Sequence, residues 1–219
     1  MPRPEVKFCG LTRPGDAALA AELGATYIGT ILASGPRLLS PAQAREVYRA
    51  APGPTAVAVV GAGTPQALAA LGRDSGADIL QLHGDPSAAD LDHLRALWPG
   101  RLWVVLRVGA AGLPANAEAL ARRADGIVLD TMVAGRLGGT GQAFDWRSVT
   151  QDMAGLRAAA LFVLAGGLHA DNIGEALDIL APQVVDVSSG VESAPGIKDA
   201  ARMRAFMSAV DRWHPLPQA

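Results

Sequence analysis

Residues 161–190 have the sequence LFVLAGGLHADNIGEALDILAPQVVDVSSG, in which two short apolar runs flank one helical segment. The runs cover residues 161–165 and 184–187, and residues 171–180 between them have the composition of a helix. Neither run alternates regularly between apolar and polar residues, and near-continuous apolar runs are typical of parallel strands that are covered on both faces. The stretch therefore predicts a strand–helix–strand unit of a parallel α/β fold.

The same unit repeats along the chain, with apolar runs separated by alanine-rich helical segments. The predicted strands are residues 6–8, 26–32, 55–60, 79–82, 103–108, 126–130, 161–165 and 184–187. The predicted helices are residues 15–23, 41–50, 64–75, 86–98, 114–122, 144–153, 171–180 and 197–213. Several helices open with a capping residue and a proline, as at Ser40-Pro41 and Thr64-Pro65.

Eight strict repeats favour an α/β fold made of a single (β/α)8 TIM barrel over residues 1–219. A doubly wound open sheet is the main alternative, because alternation of strands and helices does not show that the sheet closes. No linker rich in serine or proline divides the chain, and residues 213–219 are expected to form a loose tail.

Composition excludes several classes of protein. Half of the residues are hydrophobic, which is too large a fraction for a disordered chain. The 19 Lys and Arg residues are balanced by 21 Asp and Glu residues, so we expect no binding to nucleic acid or to an anionic membrane. No apolar run reaches the roughly 18 residues of a membrane span. The single cysteine fits a reducing compartment and no signal peptide is visible, so we expect a cytoplasmic protein.

Polar residues or glycines follow most of the predicted strands, which is where parallel β/α folds place their chemistry. Cys9 follows the first strand, where a lone cysteine is either a small buried hydrophobe or a base or nucleophile. Asp130 ends the apolar sixth strand, and a carboxyl group that stays protonated in a dry site can act as a general acid. A structural role, as a helix cap or an ion-pair partner, is equally open for Asp130.

The loops after the last two predicted strands contain Gly166-Gly167 and Ser188-Ser189. Small residues let the backbone approach a ligand, and these two loops are the usual phosphate site of β/α barrels. The alternative is that the glycines only form tight turns. We therefore predict a phosphate site at these loops, held by backbone amides.

Three further polar residues lie at predicted strand ends or in the loops after them. Arg37 could present its guanidinium to a substrate carboxylate, although a lone loop arginine is more often solvated. His83 is as easily structural as functional, and Asp186 lies in the last strand. The glycine-rich residues 135–141 are either a mobile lid or a surface loop. No residues have metal-ligand spacing, so we expect neither a metal nor a cofactor.

Taken together in chain order, seven segments resemble the phosphoribosylanthranilate isomerase family. They are residues 7–12 (KFCGLT), 81–84 (QLHG), 129–130 (LD), 138–146 (GGTGQAFDW), 164–168 (LAGGL), 185–192 (VDVSSGVE) and 195–199 (PGIKD). The resemblance implies a β/α barrel that converts N-(5-phosphoribosyl)anthranilate to 1-(2-carboxyphenylamino)-1-deoxyribulose 5-phosphate by an Amadori rearrangement in tryptophan biosynthesis.

The resemblance also implies a role for each candidate residue. Asp130 would be the general acid that opens the furanose ring, and Cys9 the general base that removes the C2′ proton. Arg37 would face the anthranilate carboxylate, with His83 and Asp186 lining the substrate site. The phosphate would be held by Gly166, Gly167, Ser188 and Ser189. The only partner implied is the small-molecule substrate, and the protein would be a monomer or a homodimer.

Three places depart from the family pattern. The loop after strand 2 has the sequence Ser34-Gly35-Pro36-Arg37-Leu38, in place of the usual Ser-Pro-Arg followed by an aromatic residue or cysteine. Thr30 and Leu32 occupy positions where phenylalanines are common, and residues 56–60 lack the usual Gly and Phe. We expect these positions to surround the anthranilate ring.

Two alternative functions remain open at this point. One is a related phosphoribosyl-amine isomerase of the histidine-biosynthesis type. Resemblance to that family would imply an aspartate at the strand 1 position, where this chain has Cys9. The other is a non-catalytic barrel that binds sugar phosphates, which would need neither an acid at Asp130 nor a base at Cys9.

Overall fold

The computed structural model describes residues 2–109, 112–131 and 145–214. Its main sheet has eight parallel strands, and pairing of β1 with β8 closes the sheet into a barrel. The strands are β1 (Glu5–Phe8), β2 (Tyr27–Ile31), β3 (Thr55–Val60), β4 (Ile79–Leu82), β5 (Arg101–Val108), β6 (Gly126–Thr131), β7 (Leu161–Leu164) and β8 (Val184–Val187). The predicted barrel is confirmed, and the open sheet is excluded because its first and last strands would not pair.

Helices alternate with these strands. They are α1 (Pro14–Glu22), α2 (Pro41–Arg49), α3 (Pro65–Ser75), α4 (Ala88–Leu97), α5 (Ala117–Ala121), α6 (Met153–Ala159), α7 (Ile173–Leu180) and α8 (Ala200–Arg212). Ser40, Thr64 and Ser87 cap α2, α3 and α4 by accepting a backbone N–H of the first turn. Within the described residues, no helix combines the length and the apolar character needed to cross a membrane.

The structure corrects two predicted helices. Residues 197–199 do not begin the last helix, because Ile197–Lys198 (β10) pairs with Glu192–Ala194 (β9) in an antiparallel hairpin. Gly196, at a φ of 81°, lies in the turn between these strands, and Asp199 caps α8 by accepting the N–H groups of Ala201 and Arg202. The predicted helix 144–153 is a 3-10 helix over Trp146–Asp152 that continues into α6, and residue 144 lies outside the described residues.

The chain end is also better anchored than expected. Trp213, the first residue of the predicted loose tail, packs partly buried against the core. Its indole Nε1 donates to Asp178 Oδ1 at 2.8 Å, which ties the end of α8 to α7. Residues 215–219 and the glycine-rich residues 135–141 lie outside the described residues, so the tail beyond His214 and the predicted lid stay untested.

Two separate apolar cores surround the barrel wall. One lies between the strands and the helices and includes Phe8 of β1, whose ring packs edge-on at 6.3 Å from Phe206 of α8. The other fills the barrel, where the rings of Tyr27 and Trp103 meet edge-on at 5.0 Å. Gly126 makes room for Trp103, because a Cβ at Gly126 would lie 2.6 Å from the indole. The packed interior leaves the functional groups at the carboxyl end of the strands.

Side chains that point into the barrel become polar toward that end. Trp103 and Ile79 belong to the interior apolar core, whereas Gln81 lines a cavity two residues further along β4. In the same way, Val128 is in the core and Asp130 lines the cavity. Because alternate residues of a strand point to the same face, this change places a polar layer directly above the apolar one.

Arginines on four outer helices tie each of those helices to the next one. Each donates to carbonyl oxygens at the C-terminal end of the following helix: Arg45 to Arg73 and Asp74, Arg73 to Leu97, Arg95 to Arg123, and Arg157 to Leu180 and Ala181. The last carbonyls of a helix have no partner within it, so a cation placed there satisfies both the hydrogen bond and the helix dipole.

We expect the Arg157→Met variant to lower the free energy of unfolding by about 2 kcal/mol, measured by urea titration. The loss combines the carbonyl hydrogen bonds with the contact between the guanidinium and the Phe162 ring, 4.9 Å from the ring centroid. The control is Arg49→Met, because Arg49 is exposed and pairs only within its own helix, and such pairs contribute about 0.5 kcal/mol. Equal losses in the two variants would show that the inter-helix bonds add nothing.

Candidate active site

One cavity opens at the carboxyl end of the barrel. All the residues that the sequence singled out for a site line it: Cys9, Arg37, His83, Asp130, Gly166, Gly167, Asp186, Ser188 and Ser189. They come from strand ends and loops spread along the chain from residue 9 to residue 189, and closure of the sheet brings them together. The structure therefore places the predicted residues in one site, while their individual roles stay predictions.

Cys9 lies beside a buried ion pair. Lys7 Nζ contacts Asp186 Oδ2 at 2.8 Å, and both side chains are almost fully buried, with exposed fractions of 0% and 5%. Lys7 and Asp186 are directly paired in the register of β1 and β8, so the ion pair spans the seam that closes the barrel. Asp186 Oδ1 is buried and has no hydrogen-bond partner among the described residues.

Burial dominates the electrostatics of this group. It raises the pKa of the Cys9 thiol above its ordinary value, and the neighbouring Lys7 charge offsets only part of that rise. Burial also raises the pKa of Asp186, against the opposing effect of Lys7. For Lys7, burial is the largest effect and acts to lower the pKa, but the charges and hydrogen bonds of Asp186 and Cys9 together outweigh it, so the net pKa is raised. Lys7 is therefore the permanent positive charge next to the thiol.

A glycine on the neighbouring strand makes room for these groups. A Cβ at Gly29 of β2 would lie 3.1 Å from Cys9 Sγ and 3.1 Å from Lys7 Nζ. Those distances are shorter than ordinary van der Waals contact, so any larger residue would displace the thiol or the ammonium group. The absence of a side chain at Gly29 therefore helps to set the position of Cys9.

Asp130 is held by a histidine that an arginine orients. Arg107 Nη2 lies 3.2 Å from His83 Nδ1, and since a guanidinium can only donate, Nδ1 accepts. The proton of the neutral ring is then on Nε2, which lies 3.3 Å from Asp130 Oδ2 and can donate to it. Arg107 also donates to the His83 carbonyl at 2.5 Å and pairs with Asp85. His83 thus lines the cavity with both ring nitrogens engaged by protein groups.

Arg37 is not a solvated loop arginine. Its guanidinium makes a bidentate contact with Glu192, with Nε 2.7 Å from Oε1 and Nη2 2.5 Å from Oε2. The Glu192 hydrogen bond raises the pKa of Arg37, against the effect of burial. Burial acts to raise the pKa of Glu192, but hydrogen bonds from Arg37 and the Lys198 charge outweigh it, so the pKa is lowered. Both groups are therefore charged.

The two predicted phosphate loops approach each other closely. Gly166 and Gly167 have φ values of 87° and 67°, which side-chain-bearing residues rarely adopt. A Cβ at Gly190 would lie 2.0 Å from the carbonyl oxygen of Leu168, so the loop after β8 touches the loop after β7 at this point. Gly166 and Gly167 thus form tight turns, as the alternative held, and these turns also place small residues on the cavity wall. The phosphate site at these loops stays a prediction.

The positions in strands 2 and 3 that depart from the family pattern do not all face the cavity. Thr30 points away from the cavity, and its hydroxyl lies 2.6 Å from the Tyr48 hydroxyl of α2. Leu32 belongs to the core between barrel and helices. The apolar cavity wall on these strands comes from Ile31 and Val59, with Ala33 following β2. The expectation that Thr30 and Leu32 surround an aromatic ring was wrong, because alternate strand residues face opposite sides.

Sequence reasoning missed Lys7, Arg107, Glu192 and Lys198, which hold the predicted residues in place. A signal for Lys7 was available, because it stands alone in the apolar first strand two positions before Cys9, on the same strand face. Among the described residues, no group of three or more His, Cys, Asp or Glu side chains could hold a metal ion.

The Cys9 thiolate is expected to appear only above the ordinary thiol pKa of about 8.5, because burial disfavours the charged form. The measurement is the ultraviolet absorbance of the thiolate against pH, with Cys9→Ala as the blank, since the chain has a single cysteine. In Lys7→Gln the transition moves to still higher pH, because the stabilising charge is lost. A transition below the ordinary value, or a downward shift in Lys7→Gln, would contradict this electrostatic picture.

Comparison with known proteins gives one consistent match. The family described as N-(5'phosphoribosyl)anthranilate (PRA) isomerase matches residues 6–209. The N-(5'-phosphoribosyl)anthranilate isomerase of Pseudomonas aeruginosa (strain LESB58) is 42% identical over 214 residues, which cover 96% of each chain. That of Stutzerimonas stutzeri (strain A1501) is 38% identical over 214 residues, covering 96% of this chain and 98% of its own.

Solved structures agree with the sequence comparison. The phosphoribosyl anthranilate isomerase of Thermus thermophilus superposes with a TM-score of 0.81 at 30% identity, covering 94% of this chain and 98% of its own. A phosphoribosyl anthranilate isomerase in complex with reduced 1-(o-carboxyphenylamino)-1-deoxyribulose 5-phosphate superposes at 0.80 with 26% identity, covering 95% of this chain and 98% of its own. Both the family match and these identities extend over nearly the whole barrel, and the chain therefore belongs to the phosphoribosylanthranilate isomerase family of tryptophan biosynthesis.

Proposed function

We propose that the cavity converts N-(5-phosphoribosyl)anthranilate to 1-(2-carboxyphenylamino)-1-deoxyribulose 5-phosphate, with Asp130 as the general acid and Cys9 as the general base. One observation carries the assignment of these two residues. The thiol at the end of β1 and the carboxyl group of β6 line the same cavity as the glycine and serine loops after β7 and β8. A ribose whose phosphate occupied those loops would lie within reach of both groups.

The first step is opening of the furanose ring. Asp130 gives its proton to the ring oxygen while the bond between that oxygen and C1′ breaks. The lone pair of the anthranilate nitrogen forms a double bond to C1′, which leaves an iminium ion. Donation from His83 Nε2 to Asp130 Oδ2 would stabilise the carboxylate that remains and fix its orientation.

The second step is removal of the C2′ proton by the Cys9 thiolate. The electrons of the C2′–H bond form the C1′=C2′ bond, and those of the C1′=N bond return to nitrogen, which gives an enolamine. Protonation at C1′ and loss of the hydroxyl proton at C2′ then give the ketone. The iminium acidifies the C2′ proton, so a moderate base suffices, and the Lys7 charge stabilises the thiolate that acts as this base.

The remaining cavity residues would bind the two anionic ends and the sugar. Backbone amides near Gly166, Gly167, Ser188 and Ser189 would hold the phosphate. Arg37 would donate to the anthranilate carboxylate. Asp186 lines the cavity and would contact the ribose, and its buried Oδ1 has no hydrogen-bond partner among the described residues.

The protein would work as a monomer or a homodimer in the cytoplasm. A single chain supplies every residue proposed here, so the site needs no side chain from a second copy. A reducing compartment would keep the Cys9 side chain as a thiol, as its role as a base requires.

The proposal predicts different kinetic effects for the acid–base pair and for the carboxylate ligand. We expect Cys9→Ala and Asp130→Ala each to lower kcat by about 10²- to 10⁴-fold, as loss of a general acid or base does. We expect Arg37→Ala mainly to raise KM, because it removes binding of the substrate rather than of the transition state alone. The assay generates phosphoribosylanthranilate in situ and follows the loss of its fluorescence.

Asp171→Ala is the control, because this carboxylate lies outside the cavity and its side chain is 95% exposed. Its activity should match that of the wild type. Equal decay of substrate with the wild type and with the Cys9 and Asp130 variants would reject the proposal. An effect of Arg37→Ala on kcat alone would reject the assignment of Arg37 to the carboxylate.

A further inference from the structure

The β9–β10 hairpin carries two buried charges beside the cavity that the reaction chemistry does not use. Glu192 and Lys198 are paired in the register of the hairpin, with exposed fractions of 6% and 4%. Lys198 Nζ lies 2.9 Å from Glu192 Oε1. Buried charges are expensive to desolvate, so a buried pair at the edge of a site calls for an explanation.

Glu192 fixes the orientation of Arg37. Its two oxygens take the Nε and Nη2 side of the guanidinium in a fork-to-fork contact, which is the most directional ion-pair geometry available. The Nη1 end of Arg37 is therefore the end that can donate to a ligand. Arg37 itself lines the cavity, while Glu192 lies behind it and does not.

Lys198 connects this arrangement to the phosphate loop. Besides contacting Glu192, its Nζ donates to the carbonyl oxygen of Ser188 at 3.0 Å. Ser188 follows β8 and lines the cavity. Burial lowers the pKa of Lys198, against the opposing effect of the Glu192 charge. Two basic side chains, Arg37 and Lys198, thus share one carboxylate, which suits a substrate with anions at both ends.

The hairpin is held in place by the β1–α1 segment. Thr12 Oγ1 donates to the Gly196 carbonyl at 2.5 Å, and the backbone N–H of Lys198 donates to Asp16 Oδ2 at 3.1 Å. A Cβ at Gly10 would lie 2.6 Å from Arg37 Cδ and 2.9 Å from Ser188 Oγ, so Gly10 lets both side chains approach the same point. The arrangement is thus formed before substrate arrives.

We propose that Glu192 and Lys198 are positioning residues of the isomerase: Glu192 aims Arg37 at the anthranilate carboxylate, and Lys198 joins Glu192 to the phosphate loop through the Ser188 carbonyl. The inference rests on the proposed function, because it takes Arg37 as the carboxylate ligand and the Ser188 loop as the phosphate site. The inference adds a hydrogen-bonded connection, through Lys198, between the carboxylate site and the phosphate site. Glu192 serves the carboxylate site alone, whereas Lys198 serves both.

Two ligands separate these roles. One is reduced 1-(o-carboxyphenylamino)-1-deoxyribulose 5-phosphate, and the other is the same compound without the ring carboxylate. Dissociation constants are measured by calorimetry for the wild type, Glu192→Gln and Lys198→Met. Glu175→Gln is the matched control, because Glu175 is exposed on α7 and away from the cavity. Thermal unfolding of each variant checks that it is folded.

We expect Glu192→Gln to weaken binding of the carboxylate ligand about 10- to 100-fold, as loss of a charged hydrogen-bonding partner does, and to change binding of the carboxylate-free ligand less than about twofold. Lys198→Met should weaken both ligands, and Glu175→Gln neither. If Glu192→Gln does not fold, Glu192→Asp replaces it. The shorter side chain keeps the charge beside Lys198 but cannot reach both guanidinium nitrogens, so the selective loss should persist.

Equal weakening of both ligands by Glu192→Gln would mean a structural role only and would overturn the inference. Tighter binding of the carboxylate ligand would also overturn it, since Glu192 would then compete with substrate for Arg37. Selective loss in Lys198→Met would remove the link to the phosphate loop. A wild type that binds neither ligand would instead reject the proposed function, so the two failures are distinguishable.

Discussion

The buried ion pair between Lys7 and Asp186 joins the first strand of the barrel to the last. Because these residues are partners in the register of β1 and β8, the contact that closes the sheet also assembles the site. Removing either partner would leave a buried charge uncompensated, at a cost of about 3–5 kcal/mol. The same ammonium group stabilises the Cys9 thiolate, and the same carboxylate has one buried oxygen with no hydrogen-bond partner among the described residues. The Lys7–Asp186 ion pair thus contributes both to closure of the barrel and to the electrostatics of the cavity.

Around this pair, each group to which the proposed mechanism gives a role is in contact with a charged or hydrogen-bonding neighbour. Cys9 is flanked by Lys7, and Asp130 by a histidine whose tautomer is set by Arg107. Arg37 is backed by Glu192. Neighbours of this kind hold a catalytic group in position before the reaction begins. Such preorganised groups stabilise the transition state without a cost of reorganisation. The substrate would bring one anion to each end of a cavity whose walls already carry the matching donors.

The sequence predicted the barrel and the cavity residues well, because both depend on patterns of short range. Apolar runs mark buried parallel strands, and a polar residue directly after such a run falls at the carboxyl edge of the sheet. The sequence did not predict contacts between residues that are far apart along the chain. The partnership of Arg37 with Glu192 spans 155 positions, and no local pattern reveals it. The sequence predicts a helix from residue 197, but Ile197–Lys198 form a hairpin strand and Asp199 caps a helix that begins at Ala200. At Thr30 the family pattern predicts a side chain that faces the cavity, whereas the alternation of side chains along β2 turns it toward Tyr48 of α2.

The most direct test is a crystal structure with reduced 1-(o-carboxyphenylamino)-1-deoxyribulose 5-phosphate in the cavity. The proposed mechanism requires Cys9 Sγ next to C2′ and the Asp130 carboxyl within hydrogen-bond reach, about 3 Å, of the C4′ hydroxyl oxygen that was the ring oxygen. It also requires the phosphate against the loops after β7 and β8. A ligand bound with C2′ facing away from Cys9, or with its phosphate at another edge of the barrel, would contradict the claim that this thiol and this carboxyl group act on one ribose.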